Sequence, residues 1–74
     1  MDKQQLRENY TDIGKQVFDR LQAICDDYEF LKCAMVFLKT DEKARKLINF
    51  LDYTKTKDTD DIIPYLLKIK KGLV

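Results

Sequence analysis

The sequence predicts an all-α protein, a small single-domain bundle of about four short helices. Apolar residues recur every three or four positions along most of the 74-residue chain, which is the period of an amphipathic helix. Short acids or hydroxyl–acid pairs precede these segments, where such residues cap helices. The third observation is that residues 28–38 contain only two charged residues, Glu29 and Lys32, and that the segments on either side of this stretch are amphipathic. A chain of this length makes one domain.

The first predicted helix spans residues 3–25. Asp2 can cap it, with Gln5 three residues later as in a capping box. Gly14 lies inside the helix, where it costs about 1 kcal/mol relative to alanine. We interpret it as a place where another helix approaches closely. The apolar stripe consists of Leu6, Tyr10, Ile13, Val17, Leu21, Ile24 and Tyr28.

The second predicted helix, residues 28–39, follows a turn at Asp26 and Asp27. Its polar residues Glu29, Lys32 and Lys39 fall within an arc of about 80° at 100° per residue. The rest of its circumference is apolar, so it needs cover on most sides, from its own chain or from a second copy. The pattern therefore places this nearly all-apolar helix at the centre of the bundle.

The third predicted helix spans residues 41–54 and the fourth residues 60–71. Thr40 and the two acids after it give a start signal for the third helix. Phe50 and Tyr53 lie off its apolar stripe, together with Lys46. A short charged connector, residues 55–58, makes the last two helices antiparallel neighbours. The fourth helix carries Pro64 near its start, three lysines in its last turn and Gly72 as a stop signal.

The charge balance indicates no general attraction to nucleic acid or to anionic membranes. Fourteen basic and thirteen acidic residues give a formal net charge of +1. The first residues are polar and do not resemble a secretory signal, and the longest apolar run is far short of the ~20 residues that span a bilayer. We therefore expect a cytoplasmic protein without a membrane span, whose two cysteines are reduced thiols.

Catalysis is poorly supported by the residue types present. The chain has no histidine and no glycine-rich phosphate loop, and its paired acids are explained by helix capping. Cys25 and Cys33 are eight residues apart, which is not a metal-ligand spacing. Both lie on apolar surfaces, so we expect inert packed thiols that label slowly. The prediction is a protein that is not an enzyme, with no cofactor and no metal site.

The function that the sequence predicts is a non-catalytic protein–protein interaction or accessory module that acts through a helical surface. The motivating observation is a large apolar surface for so short a chain. The partner is another protein or a second copy, a homodimer being the simplest form. The candidate surface consists of Lys46, Phe50 and Tyr53. Serine at the two aromatic positions should weaken association and leave the fold nearly intact.

The alternative is a small DNA-binding regulator that uses the basic start of the third helix. Lys43, Arg45 and Lys46 are its candidate nucleic-acid contacts. Asp41 and Glu42 open the same helix and would face phosphates unfavourably, and the chain is nearly neutral. Lysines near the end of the last helix could suit a lipid surface, but complementing the helix dipole explains them equally well.

Overall fold

Five helices make up the part of the chain that the structure, a computed structural model, describes, residues 2–74. They are α1 (Lys3–Glu8), α2 (Asp12–Ile24), α3 (Tyr28–Val36), α4 (Asp41–Thr54) and α5 (Thr59–Lys71), with no strand among these residues. The Cα radius of gyration is 11.1 Å, close to the ~11 Å typical of a folded domain of this length. The predicted all-α class is confirmed.

The prediction of one long first helix is wrong, because the chain turns between α1 and α2. Asn9 ends α1, and Thr11 begins α2 by accepting a hydrogen bond from the backbone N–H of Gly14 on its side-chain oxygen, at 3.3 Å. Thr11 and Asp12 form the same hydroxyl–acid pair that starts α4 at Thr40. The bundle consequently has five helices within residues 2–74 instead of about four.

Gly14 is buried, and the close approach it permits comes from the preceding turn. An ideal Cβ atom on Gly14 would lie 2.8 Å from the Cβ atom of Tyr10. Gly14 therefore does permit a close approach, as predicted, but the group that approaches it is Tyr10 in the preceding turn instead of another helix.

Helices α2 and α4 lie side by side and point in the same direction. The Thr11 hydroxyl at the start of α2 donates a hydrogen bond to the Asp41 carboxylate at the start of α4. Near their other ends, the guanidinium of Arg20 lies 2.9 Å from the Asp52 carboxylate. Exposed pairs of this kind contribute little stability, about 1 kcal/mol at most, but their positions show that the two helices point the same way. Helix α3 must then return antiparallel to both.

Helices α1 and α5 also run opposite to α2 and α4. Lys3 of α1 reaches Asp26 beyond the end of α2, with Nζ 2.7 Å from a carboxylate oxygen. The ring of Tyr65 in α5 stacks on Phe50 near the end of α4, with centroids 4.0 Å apart and planes 16° from parallel. As a result α1, α3 and α5 share one direction, and the predicted antiparallel pairing of the last two helices agrees with the structure.

The core is a single apolar cluster to which every helix contributes. Helix α2 packs most extensively on α4 and also contacts α3 and α1, whereas the main helix contact of α3 is with α2. The predicted central position of the apolar helix is therefore not confirmed. The buried residues are Leu6, Val17, Phe18, Leu21, Leu31, Ala34, Met35, Leu38, Ala44, Leu47, Leu51, Ile62, Leu66 and Ile69.

Helix α3 is buried on one side only. Leu31, Ala34 and Met35 face the core, three or four positions apart, and this spacing turns Cys33 and Val36 outward. Cys33 is exposed and Cys25 is half-buried. The expectation that both thiols are packed is thus wrong for Cys33, because an apolar residue beside the buried stripe is not covered by another helix.

Candidate protein-binding surface

The apolar arc of α5 is wider than the core can cover. Ile62, Leu66 and Ile69 are buried, and this leaves Ile63 and Leu67 with 45% and 42% of their surface exposed. On α3, Val36 is 51% exposed. An aliphatic side chain half in water is ordinary when isolated, but these occur on two helices that border the same groove.

An apolar groove of about 330 Å³ lies between α3 and α5. Phe30, Ala34 and Phe37 line it from the α3 side, and Ile63 and Leu66 line it from α5. The exposed thiol residue, Cys33, also borders it. We call the groove together with the exposed side chains of Val36, Ile63 and Leu67 the α3–α5 face.

The two ends of this face carry opposite charges. Asp27 and Glu29 line the groove at the end where α3 begins. At the end where α3 stops, Nζ of Lys70 lies 5.5 Å from the ring centroid of Phe37, a cation–π contact. Since α3 and α5 run in the same direction, the helix starts lie together at the acidic end and the helix ends at the basic end.

Acids at helix starts and bases at helix ends are the arrangement that helix dipoles favour. Helix α5 repeats it, with two acids in its first turn and three lysines in its last: Asp60, Asp61, Lys68, Lys70 and Lys71. The α3–α5 face is therefore an apolar surface with an acidic end and a basic end, and both ends are already stabilised by the helices that carry them.

Asp26 and Tyr10, which lie outside this face, have shifted pKa values with structural causes. Hydrogen bonds from Lys3 and Gln22 hold the pKa of the Asp26 carboxyl below its ordinary value. Partial burial raises the pKa of the Tyr10 hydroxyl above its ordinary value. Ion pairing and packing account for both shifts.

A second concavity, of about 490 Å³, lies where α2 and α4 end, and it lacks the apolar continuity of the groove. Arg20, Asp52, Lys55 and Lys57 contribute to its lining. The Arg20 guanidinium is already paired with Asp52 at 2.9 Å. The charges of this concavity are mixed in sign, and they do not converge on one ligand chemistry.

The three residues of the partner surface predicted from the sequence lie on one face of α4 but differ in their burial and contacts. Lys46 donates a hydrogen bond from Nζ to the backbone oxygen of Val74 at 2.6 Å. Phe50 is half-buried against the core and stacks on Tyr65. Tyr53 is 90% exposed. Lys46 and Phe50 therefore serve contacts within the chain, and whether any of the three contacts a partner stays a prediction.

The basic residues predicted for DNA binding are interleaved with acids on the first turns of α4. Arg45 is exposed, whereas Lys43 is half-buried. Nζ of Lys46 lies 3.5 Å from the Glu42 carboxylate, and Asp41 opens the same helix. No observation strengthens this alternative, which also stays a prediction.

Sequence reasoning missed Ile63, Leu67 and Val36 as exposed apolar residues. The available signal was the width of the α5 arc, since adjacent pairs such as Ile62 and Ile63 cannot both face one core. Within residues 2–74, no cluster of three or more acids or cysteines is placed to hold a metal ion. In the same part of the chain, each helix is too short or too polar to cross a membrane.

The chain matches no protein-family model, and no curated protein or solved structure shows significant similarity to it.

Proposed function

We propose that the protein is a non-catalytic binding module whose contact with a protein partner is made by the α3–α5 face. The observation that carries the proposal is the apolar groove between the two helices, which exposed Ile63 lines, together with the exposed side chains of Val36 and Leu67 on the same two helices. A contiguous apolar surface with a charged rim is typical of protein–protein contacts.

The energy available from this face fits a contact of modest strength. Full burial of an aliphatic side chain contributes ~1.5–3 kcal/mol, so covering the exposed halves of three such residues contributes about 3 kcal/mol. Phe30 and Phe37 on the groove wall are also partly exposed and would add to this. Association itself costs several kcal/mol, which equals or exceeds the contribution of the three aliphatic side chains, so we expect a weak, reversible interaction to which the two phenylalanines and the charged ends also contribute.

The chemistry of the partner follows from the charges at the two ends. It should present an apolar ridge that fits the groove, a base opposite Asp27 and Glu29, and an acid opposite Lys70. Such charges set the orientation of a contact and its selectivity more than its strength.

The test compares two charged substitutions on the tagged protein in its native cells. Leu67→Glu places a carboxylate on the face, while Tyr53→Glu makes the same change at an exposed aromatic residue of α4. We expect wild type and Tyr53→Glu to retain the same protein partner, and Leu67→Glu to lose it while keeping its helical circular-dichroism spectrum. Retention of the partner by Leu67→Glu would show that the α3–α5 face is not the binding surface.

A further inference from the structure

We infer that the occupant of the α3–α5 face is a second copy of this chain, packed antiparallel across a two-fold axis. The inference rests on the proposed function, since it names the partner of the same face. A two-fold contact uses one patch on both subunits, so the patch must be complementary to itself when turned over. The α3–α5 face has this property in both charge and apolar content.

The exposed ridge of α5 shows the self-complementarity most directly. Asp60, Ile63, Leu67 and Lys70 are spaced by three, four and three residues and share one side of the helix within an arc of about 80°. The ridge therefore reads acid, apolar, apolar, base. A second copy turned antiparallel presents base, apolar, apolar, acid, so Asp60 approaches Lys70 of the other copy and Ile63 approaches Leu67.

The same two-fold operation brings α3 opposite its own copy. Lys70 contacts Phe37, and the two helices run in the same direction, so α3 residues are level with α5 residues about 33 positions later. The middle of the α5 ridge, position 65, is then level with position 32 of α3. Cys33 is the neighbouring groove residue and comes close to the axis.

A stable dimer of this kind would bury a modest share of the molecular surface. A stable contact takes about 800 Å² from each partner, which is roughly a sixth of the 4774 Å² accessible surface of the described residues. Chains of this size bury a smaller fraction of their surface on folding than larger domains do, and oligomerisation is one way in which small chains gain stability.

The decisive experiment uses sedimentation equilibrium on two charge-reversed variants, alone and mixed. Asp60→Lys alone places two lysine pairs across the axis, and Lys70→Asp alone places two acid pairs there. Each variant should dissociate about tenfold more readily than wild type at low salt. An equimolar mixture should recover wild-type affinity, because in the mixed dimer both cross-axis pairs are again opposite in sign.

Matched controls separate this effect from changes in helix stability. Asp12→Lys makes the same charge change in the first turn of α2, and Lys68→Asp makes it in the last turn of α5, off the ridge. Neither should change dimer affinity. A mixture of Asp60→Lys and Lys70→Asp that dissociates as readily as the separate variants would overturn the antiparallel arrangement.

Cross-linking tests the position of the axis without altering the charges. The Cys25→Ser variant keeps a single exposed thiol at Cys33, and a short bis-maleimide should link two copies in high yield. The Cys33→Ser variant, which keeps only Cys25, should stay uncross-linked. Cross-linking through Cys25 but not Cys33 would overturn the proposal.

Failure of the dimer is distinguishable from failure of the proposed function. A wild-type chain that sediments as a monomer at about 1 mM, an affinity limit near −4 kcal/mol, overturns self-association. If that monomer retains a different protein, and the Leu67→Glu variant loses it, the α3–α5 face is still the binding surface, but its partner is that protein and not a second copy of this chain. A dimer that Leu67→Glu does not weaken would place self-association on another surface and overturn the antiparallel dimer, while loss of a different protein partner by Leu67→Glu would still support the binding face.

Discussion

Replacing Gly14 by alanine tests how tightly the turn between α1 and α2 is packed. In an exposed helix interior this change stabilises a protein by about 1 kcal/mol. Here the added methyl group would lie 2.8 Å from the Cβ atom of Tyr10, which the backbone holds and which cannot rotate away. Overpacking of this kind costs about 1–3 kcal/mol. The net expectation is a loss of up to about 2 kcal/mol in the free energy of unfolding.

Urea denaturation followed by circular dichroism measures this change. A loss of 1 kcal/mol lowers the melting temperature of a domain of this size by about 4–8 °C, so thermal denaturation provides a second reading. Gln16→Ala, an exposed position in the same helix, is the control and should change stability by no more than about 0.5 kcal/mol.

A double-mutant cycle isolates the contact between the two residues. In a Tyr10→Gly background there is no Cβ atom for the new methyl group to meet, so Gly14→Ala should become stabilising by about 1 kcal/mol. Stabilisation of the otherwise wild-type protein by Gly14→Ala would refute the close contact.

Three further predictions concern single side chains. Phe50→Ser should lower the free energy of unfolding by about 2–4 kcal/mol in urea denaturation, since it removes a core-packed ring stacked on its neighbour, whereas Tyr53→Ser should change it by less than about 0.5 kcal/mol. Cys33 should react with a thiol reagent faster than Cys25 in the native protein; equal rates would contradict their different exposure. Asp26 has a lowered folded-state pKa, so its contribution to stability is present above the unfolded-state pKa of ~3.9 and is lost as pH falls through the folded value. The unfolding free energy of Asp26→Asn should accordingly fall less on acidification than that of wild type, and equal losses would contradict the shift.

Helix starts could be predicted well where a capping residue coincides with an interruption in the regular spacing of apolar residues. Thr40 caps α4 and Asp27 caps α3, and both helices begin where the sequence places them. The turn at Thr11 was missed although it carries the same cap. The apolar stripe runs from Tyr10 to Ile13 without a change of spacing, so periodicity alone does not register the break.

The fate of exposed apolar residues could not be predicted from the sequence in the same way. Phe50 and Tyr53 both lie off the apolar stripe of α4, yet one stacks on α5 and the other is open to solvent. Conversely, Ile63 and Leu67 belong to a broad apolar arc that the sequence pattern assigns to the core, yet both are exposed. The direction in which neighbouring helices pack decides these cases, and an amphipathic pattern describes one helix at a time.

The side-by-side packing of α2 and α4 has a consequence for the order of folding. The hydrogen bond between Thr11 and Asp41 joins residues 30 positions apart, and the most extensive helix contact of the fold joins the same two helices. The chain must reverse direction through α3 before this contact can form. The entropy of closing the loop between α2 and α4 is therefore lost before their packing contributes stability. We expect α2–α4 docking to limit the folding rate. A fragment of residues 2–40, which lacks α4, should show helical signal without cooperative unfolding.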